Sequence, residues 1–337
     1  RGKTIMTIID KFSADVKIHT DEKVICLVDE AHRSQFKGNA EQMRVAMPNA
    51  VFFGFSGTPI DKNDKSTYRV FGPMLDKYGF KESQADGATI PIRYDGRLSE
   101  LFVEGGDTIE QVFDRVIGQD KTISSEMLEK LKQQYVTKGK IAEAPARIKR
   151  IALDLVTHYT THIEPNGYKA MLVAPSREAA ILYKKELDKL NAPSSKIIMT
   201  SDLGETGKDD QSWDEYYLSS QQREAESEKF KSPDDLTKIL IVVDMLLVGY
   251  DVPICQVLYL DQGIREHNLL QAIARVNRPY DEPKTFGLIV DYSGVTTELQ
   301  KALEMFEEQD IDGALYPIDD LLQQLEYRHL DVMKYFS

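Results

Sequence analysis

Two carboxylates directly follow an apolar run near the start of the sequence. The run VICLV at 24–28 ends in Asp29 and Glu30. A buried strand with this ending delivers both side chains to the edge of a sheet, where a nucleotide bound with Mg²⁺ would lie. There Asp29 can hold the metal ion through water, and Glu30 can orient or deprotonate the attacking water. The pair predicts a site for nucleotide hydrolysis, although acidic residues also end strands that have no such role.

A second polar group follows the apolar run at 51–55. Ser56 and Thr58 lie there in a Ser-Gly-Thr-Pro turn, which we expect at the same sheet edge as the two carboxylates. Hydroxyl groups at that edge can relay hydrogen bonds between a nucleotide site and a neighbouring domain that moves. A simple turn of Ser, Gly and Pro residues is the alternative.

A pair of arginines in the second half of the chain supplies positive charge. Arg275 and Arg278 lie in the sequence QAIARVNR, which we predict to be helical. Because the two residues are three apart, both guanidinium groups would project from one face of the helix. Such groups can reach a γ-phosphate from a second domain, where an arginine finger is worth roughly 10³–10⁵ in rate. Two solvated surface arginines are the alternative.

Short apolar runs and amphipathic segments alternate along the chain and must position these side chains. Seven uninterrupted apolar runs predict strands of a parallel sheet that is covered on both faces. They lie at 24–28, 51–55, 170–174, 196–200, 239–243, 257–260 and 286–290. The stretch 176–190 has apolar residues at helix spacing and is stopped by Asn191-Ala192-Pro193. The pattern predicts a doubly wound α/β fold, in which ligands bind at the carboxyl ends of strands.

Two segments interrupt this alternation. From about 107 to 163 the pattern is mostly helical, with Ile148, Ile151 and Leu155 on one stripe, and it predicts a helical insertion or bridge between two α/β units. The stretch 202–235 is polar and acid-rich and predicts a surface excursion. Plain connecting structure is the alternative for both.

The composition limits the class of protein. The chain has 337 residues, 42% of them hydrophobic, which is enough for at least two domains. With a formal net charge of −13, any contact with nucleic acid requires a local basic patch. Cys26 and Cys255 have no metal-binding spacing and suit a reducing cytosol. No apolar run approaches the roughly 18 residues of a membrane span, so we expect no contact with a membrane.

Four motifs together resemble those of one superfamily of motor proteins. They are DEAH at 29–32, SGTP at 56–59, GYDVP at 249–253 and QAIARVNR at 271–278. In this order they are similar to motifs II, III, V and VI of superfamily 2 helicases and translocases. The phrases TIIDKF, DEAHRSQF, FGFSGTPI and GLIVDYSG resemble, more narrowly, the restriction (motor, R) subunit of type I restriction-modification enzymes. One departure is Ala274, where the sixth motif usually has glycine.

The resemblance implies an α/β fold of RecA-like parallel sheets with helices on both faces. It implies part of one lobe and a complete second lobe, with a helical insertion. We therefore expect the C-terminal part of the first motor domain at 1–82, a linker and helical insertion at 83–165, the second motor domain at 166–310, and the start of a C-terminal helical domain at 311–337.

The resemblance also implies roles for the residues at matching positions. Asp29 and Glu30 would serve Mg²⁺ and water, as their position already suggests. The residues implied to sense the γ-phosphate are Gln271, Arg275 and Arg278. Those implied to couple hydrolysis to motion are His32, Ser56, Thr58, Gly249 and Asp251. Contacts with the DNA backbone, which carry no sequence information, would come from Thr7, Lys11, Arg177, Thr200 and Ser201.

The implied function is ATP-dependent translocation of double-stranded DNA by the motor subunit of a type I restriction endonuclease. ATP and Mg²⁺ would be the cofactors. Methyltransferase and specificity subunits would be the protein partners, in the cytoplasm. The alternatives are another superfamily 2 helicase, a type III restriction subunit, or, for the isolated segment, a docking module without catalytic activity.

The tripeptide Gly2-Lys3-Thr4 has the ending of a P-loop without its context. A P-loop has the form GxxxxGK[ST] between a strand and a helix, and here only Arg1 precedes Gly2. The sequence IMTII at 5–9 is rich in β-forming residues and predicts a strand. We interpret the tripeptide as a coincidental match. We expect the P-loop and the PD…(D/E)xK nuclease of the family upstream, and little ATP hydrolysis by this segment alone.

Overall fold

The computed structural model describes residues 4–12, 24–31, 39–57, 71–97, 142–200, 204–206, 212–243, 245, 250–263, 271–293 and 315–317. The chain divides into two compact units, Arg1–Tyr78 and Gly79–Ser337. Four of the predicted site residues lie outside the described residues, namely His32, Thr58, Ser201 and Gly249.

The first unit contains two of the predicted strands. Strands β1 (Ile25–Val28) and β2 (Val51–Gly54) pair in parallel, and helix α1 (Asn39–Ala46) lies between them in the sequence. Alternate residues of β1 are exposed, Ile25 by 64% and Leu27 by 69%. This face therefore differs from the covered sheet that the apolar runs predict, because no described element of the unit packs over it.

The strand predicted at 5–9 is not formed. Residues 4–8 have no regular structure, and Ile9–Lys11 form a 3-10 turn closed by the N–H of Lys11 donating to the carbonyl of Ile8 at 3.2 Å. Ile5 and Met6 are 81% and 95% exposed. The prediction is wrong because β-forming side chains make a strand only beside a partner, and the described strands of this unit offer them none.

The second unit is built on a parallel sheet that has seven strands within the described residues. In spatial order they are β5 (Ser195–Ile198), β6 (Ile239–Val242), β4 (Lys169–Val173), β7 (Cys255–Leu260), β8 (Gly287–Asp291), β3 (Ile92–Gly96) and β9 (Leu315–Pro317). Five of them are predicted by the apolar runs and are confirmed. Strand β9 lies at an edge, in a stretch whose pattern predicts a helix. Pro317 suits an edge because it has no N–H to donate to a further strand.

Apolar side chains cover this sheet on both faces. On one face Leu172 of β4 packs in a cluster with Leu155 of α3 (Pro145–His158) and Tyr183 of α4 (Arg177–Lys189). On the other face Met171 packs in a cluster with Phe230 and Ile273. The doubly wound α/β fold is thereby confirmed for the second unit.

The helices of the second unit include one that the sequence predicts well. Helix α4 begins after Ser176, whose hydroxyl accepts the N–H of Ala179 at 3.1 Å, and it is followed by Asn191 at a φ of 51°. This confirms the helix predicted at 176–190.

Helices α3 and α5 (Ser220–Phe230) lie in the two segments where the sequence predicts an interruption, and α2 (Phe80–Ala85) lies outside both. Helix α5 falls within the expected surface excursion, and helix α2 precedes β3. Helix α3 and strand β3 lie inside the second unit, although both fall within the expected linker at 83–165. The division at residues 82 and 166 stays a prediction. No helix in the described ranges is long and apolar enough to cross a membrane.

Candidate functional site

The turn after β1 holds the two predicted carboxylates. Glu30 has a φ of 46°, in the left-handed region that a residue with a side chain adopts only at a cost. Its N–H donates to Oδ1 of Asp29 at 2.9 Å, and the N–H of the buried Ala31 donates to the carbonyl of Phe55 at 2.8 Å. Backbone strain of this kind clusters at functional sites.

Gly54 lets this turn lie close to the end of β2. A Cβ atom at position 54 would lie 2.9 Å from the Cβ of Ala31 and 2.8 Å from the ring of Phe71. Because Cβ atoms do not approach other atoms so closely, any larger residue would push the turn away. The lack of a side chain at Gly54 thus lets Ala31, the residue after Glu30, lie close to the end of β2.

The main chain keeps the ends of β1 and β2 together. The N–H of Phe55 donates to the carbonyl of Val28 at 2.8 Å, so the pairing continues past the last residues of both strands. Ser56 therefore follows at the same edge as Asp29 and Glu30. The structure confirms this juxtaposition, while the roles of the three side chains stay predictions.

The arginine segment of the second unit differs from the helix that the sequence predicts. Residues 271–273 are helical, and a turn follows at 274–276. The N–H groups of Arg275 and Val276 donate three residues back, to Ala272 at 3.0 Å and Ile273 at 3.1 Å. Arg278 precedes Pro279, which disfavours helical backbone at the residue before it. The prediction of two guanidinium groups on one helical face is therefore wrong.

Arg275 is held inside the second unit. It is 8% exposed, and its Nε donates to the carbonyl of Gln271 at 2.9 Å. Its Nη1 donates to the carbonyl of Tyr250, in the segment that carries the fifth motif. The guanidinium therefore joins two of the candidate segments to each other.

Arg278 is the more exposed of the two arginines. Its side chain is 42% exposed, and its Nε lies 3.6 Å from Oδ1 of Asp251, whose side chain is 62% exposed. This distance makes an ion pair without a hydrogen bond. The structure thus brings together Arg278, which the resemblance implies to sense the γ-phosphate, and Asp251, which it implies to couple hydrolysis to motion.

Arg177 and Thr200, predicted to bind DNA, also lie together. Nη1 of Arg177 donates to the carbonyl of Thr200 at 3.2 Å and to Oε2 of Glu205 at 2.7 Å, and its guanidinium carbon lies 5.4 Å from the ring centre of Trp213. Sequence reasoning missed Glu205 and Trp213. Their only signal is their position in the acid-rich stretch at 202–235, which marks neither as a partner of Arg177.

The other two described residues predicted to bind DNA belong to the first unit. The side chains of Thr7 and Lys11 are both exposed, and Lys11 ends the 3-10 turn. Exposed small and basic side chains suit contacts with phosphate oxygens.

Asp29 fits a magnesium ion that is held mainly by other ligands. In the part of the chain that the structure describes, no three His, Cys, Asp or Glu side chains are grouped as a metal site. Mg²⁺ at nucleotide sites usually keeps several waters and binds one or two carboxylates together with substrate phosphates. The exposed carboxylate at the end of β1 meets that need.

The doubly wound parallel sheet of the second unit defines a RecA-like α/β domain. Residues 1–126 match the SWI2/SNF2 ATPase family, and residues 204–294 match the family described as type I restriction enzyme subunit R domain 3. A solved fragment named as an HsdR subunit of a type I restriction enzyme from Vibrio vulnificus superposes with a TM-score of 0.56 at 18% identity. The superposition covers 87% of our chain and 47% of the solved fragment, and it supports the fold.

Two curated relatives carry names of the same kind. A Methanocaldococcus jannaschii protein named as the MjaIXP type I restriction enzyme endonuclease subunit is 33% identical over all of this chain and 32% of its own length. The HindI endonuclease subunit of Haemophilus influenzae is 33% identical over 93% of this chain and 31% of its own length. The chain is homologous to the endonuclease (R) subunits of type I restriction enzymes, and it spans about a third of the length of these relatives.

Proposed function

We propose that this chain is the motor segment of a type I restriction R subunit, which uses ATP hydrolysis to move along double-stranded DNA. The observation that carries the proposal is the turn at Asp29–Glu30. Two carboxylates and Ser56 lie at one sheet edge there, and Glu30 has a φ of 46° in the left-handed region. Such a site suits hydrolysis of a phosphoanhydride bond by water.

Each carboxylate has a separate role in this proposal. Asp29 would hold a Mg²⁺ ion through water, and Glu30 would orient the attacking water and accept its proton. The Mg²⁺-nucleotide, when bound, supplies the phosphoryl group and an ion that neutralises its charge. His32, Ser56 and Thr58 would transmit the change at this edge to the rest of the motor.

Arg275 and Arg278 have different roles in this proposal. Arg278, whose side chain is 42% exposed, is the arginine proposed to reach the γ-phosphate, together with Gln271. Arg275 holds the segment in place through the carbonyl of Tyr250. Gly249 and Asp251 would then link the nucleotide side to the DNA side.

DNA would be held by its backbone. Thr7, Lys11, Arg177, Thr200 and Ser201 are the proposed contacts. A net charge of −13 leaves these local groups to attract the polyanion. Sequence recognition is left to a specificity subunit, and methylation to a methyltransferase subunit, in a cytoplasmic complex.

ATP hydrolysis by the full-length protein tests this proposal. We expect double-stranded DNA to stimulate turnover strongly, and we expect the protein to displace a third strand from a triplex without separating a short duplex. Turnover that DNA does not change would contradict the motor function. Separation of the duplex would instead favour a helicase.

A further inference from the structure

Lys284 is a buried lysine just before β8 that donates to three main-chain carbonyls. It is 2% exposed, and its Nζ lies 2.6 Å from the oxygen of Pro253, 2.9 Å from that of Cys255 and 2.8 Å from that of Arg278. Burial lowers the pKa of Lys284 to about 8, so at neutral pH the side chain is still mainly an ammonium group. An ammonium group has three N–H bonds, and here each has an acceptor.

The three acceptors belong to the two segments that carry candidate site residues. Pro253 and Cys255 follow Asp251 in the segment of the fifth motif, and the third acceptor is the carbonyl of Arg278 itself. The Arg278 guanidinium lies 3.6 Å from the carboxylate of Asp251. One buried side chain thus joins the carbonyl of Arg278 to the carbonyls of Pro253 and Cys255, which follow Asp251 in the sequence.

The main chain of Lys284 is also held by hydrogen bonds. Its N–H donates to Oδ1 of Asp281 at 3.1 Å, and the hydroxyl of Tyr168 donates to the same oxygen at 2.7 Å. Because Tyr168 directly precedes β4, this contact anchors the turn at 281–284 to the centre of the sheet. The main chain of Lys284 is therefore tied through Asp281 to the start of β4.

The arginine segment also lies against the start of β8. A Cβ atom at Gly287 would lie 2.4 Å from the carbonyl oxygen of Val276. The carbonyl of Val276 lies against Gly287, and the carbonyl of Arg278 accepts a hydrogen bond from Lys284. Residues 276–278 are therefore held at both ends. The carbonyl of Asn277 also accepts the N–H of Ile90 at 2.8 Å, so Lys284 is one of several contacts that hold this segment.

We infer that Lys284 is a positioning residue for nucleotide hydrolysis, which sets the place of Arg278 relative to the Asp251 segment. The inference rests on the proposed ATPase function. It has a physical scale, since a displacement of about 1 Å in a catalytic group can cost roughly 100-fold in rate. Loss of Lys284 should therefore act on the chemical step more than on binding.

Lys169 offers a matched control for the general effect of removing a buried lysine. It is fully buried, and its Nζ donates to the carbonyls of Phe230 and Ser232 at 3.0 and 2.7 Å. Those carbonyls lie at the end of α5 and outside the candidate segments. A purely structural role would make Lys284→Met and Lys169→Met behave alike.

The experiment compares Lys284→Met and Lys169→Met in the full-length protein. For Lys284→Met we expect kcat of DNA-stimulated ATP hydrolysis to fall at least about tenfold, with KM for ATP changed less than about threefold. For Lys169→Met we expect kcat within about twofold of the wild type, even where the melting temperature falls equally. Equal kcat values for the two variants would overturn the inference. If Lys284→Met does not fold, Lys284→Gln, which retains two N–H donors, replaces it under the same criteria.

Hydrogen exchange separates failure of this inference from failure of the proposed function. In Lys284→Met, amides at 250–256 and 276–280 should exchange at least about tenfold faster than in the wild type, and in Lys169→Met they should not. If the wild type hydrolyses no ATP but the variants show this exchange pattern, the ATPase proposal is refuted. The positioning of residues 276–278 by Lys284 would still be supported. Unchanged exchange at both segments in Lys284→Met would refute the positioning role of Lys284.

Discussion

The guanidinium of Arg177 and the carboxylate of Glu205 form a two-point ion pair, in which Nη1 lies 2.7 Å from Oε2 and Nη2 pairs with Oε1. Planar, two-point pairing of this kind is how arginine also binds phosphate. The Glu205 carboxylate therefore occupies the fork that we propose for the DNA backbone. DNA would have to displace it in order to bind there.

Replacement of Glu205 by Gln should therefore strengthen DNA binding by the full-length protein. We expect a gain of about 1.4- to fivefold in affinity, because a partly exposed ion pair of this kind is worth about 0.2–1 kcal/mol. Arg177→Ala should weaken binding and reduce the dependence on salt by about one phosphate contact.

Glu186→Gln is the control for this change in charge. Glu186 pairs with Lys189 on α4, and the substitution removes the same negative charge without touching Arg177. Fluorescence anisotropy with a labelled duplex at several salt concentrations measures all three variants. An affinity for Glu205→Gln that is equal to or below that of Glu186→Gln would show that Glu205 does not compete with DNA.

The two arginines should separate catalysis from stability. Arg278→Ala should lower kcat of ATP hydrolysis by roughly 10³-fold or more and leave the melting temperature nearly unchanged, because its guanidinium is partly exposed. Arg275→Ala should lower the free energy of unfolding by about 1–3 kcal/mol, because two carbonyls lose a donor inside the unit. Steady-state kinetics and thermal unfolding measure both. Near-normal turnover by Arg278→Ala would remove it from the site.

A methyl group at Gly287 should disturb the arginine segment. It would lie 2.4 Å from the Val276 carbonyl oxygen, so the main chain next to Arg275 must move. We expect Gly287→Ala to lower kcat of ATP hydrolysis by at least about tenfold. Gly263→Ala is the control, because nothing lies within 4 Å of the Cβ position there. Equal kcat values for the two alanine variants would mean that the position of residues 275–278 does not limit turnover.

His158 should make stability depend on pH. It is 8% exposed, and its Nδ1 lies 2.7 Å from the hydroxyl of Tyr259. Burial, and next the nearby charges of Arg97 and His162, lower the pKa of His158 from 6.5 to about 4, against the smaller opposing effect of Asp95 and Asp154. Between pH 6.5 and 4, His158 binds a proton in the unfolded chain but not in the folded protein. The free energy of unfolding should therefore fall as the pH falls through this window, by up to about 3 kcal/mol.

Thermal unfolding of the wild type and His158→Asn between pH 7 and pH 4 checks this prediction. Asparagine can still accept the Tyr259 hydroxyl and does not titrate, so its stability should depend less on pH in this range. The same loss of stability in both proteins would show that His158 is not the group responsible.

The strands were predictable because burial dictates composition. All seven uninterrupted apolar runs form strands, and the five in the second unit do so because a parallel sheet covered on both faces accepts little else. Strand β3 was missed because Arg93 and Asp95 break its apolar pattern. Helix α5 was missed because its sequence, SQQREAESEKF, is polar all round and carries no helical stripe.

Predictions from motifs succeeded for placement and failed for local geometry. Asp29 and Ser56 share a sheet edge because parallel strands end together, which sequence order can reveal. The helix expected to carry Arg278 ends before it. The turn at 274–276 ends the helix, and Pro279 disfavours helical backbone at residue 278. Lys284 had no signal, since the contacts that bury a lysine come from residues distant in the sequence.

The most direct test of the central claim is ATP hydrolysis by Glu30→Gln in the full-length protein. Glutamine keeps the shape of the turn and removes the carboxylate that would accept a proton from water. We expect DNA-stimulated turnover to fall by at least roughly 100-fold, while a nucleotide-binding assay gives an unchanged Kd for ATP. Turnover by Glu30→Gln equal to that of the wild type would contradict the assignment of the Asp29–Glu30 turn as the hydrolytic centre.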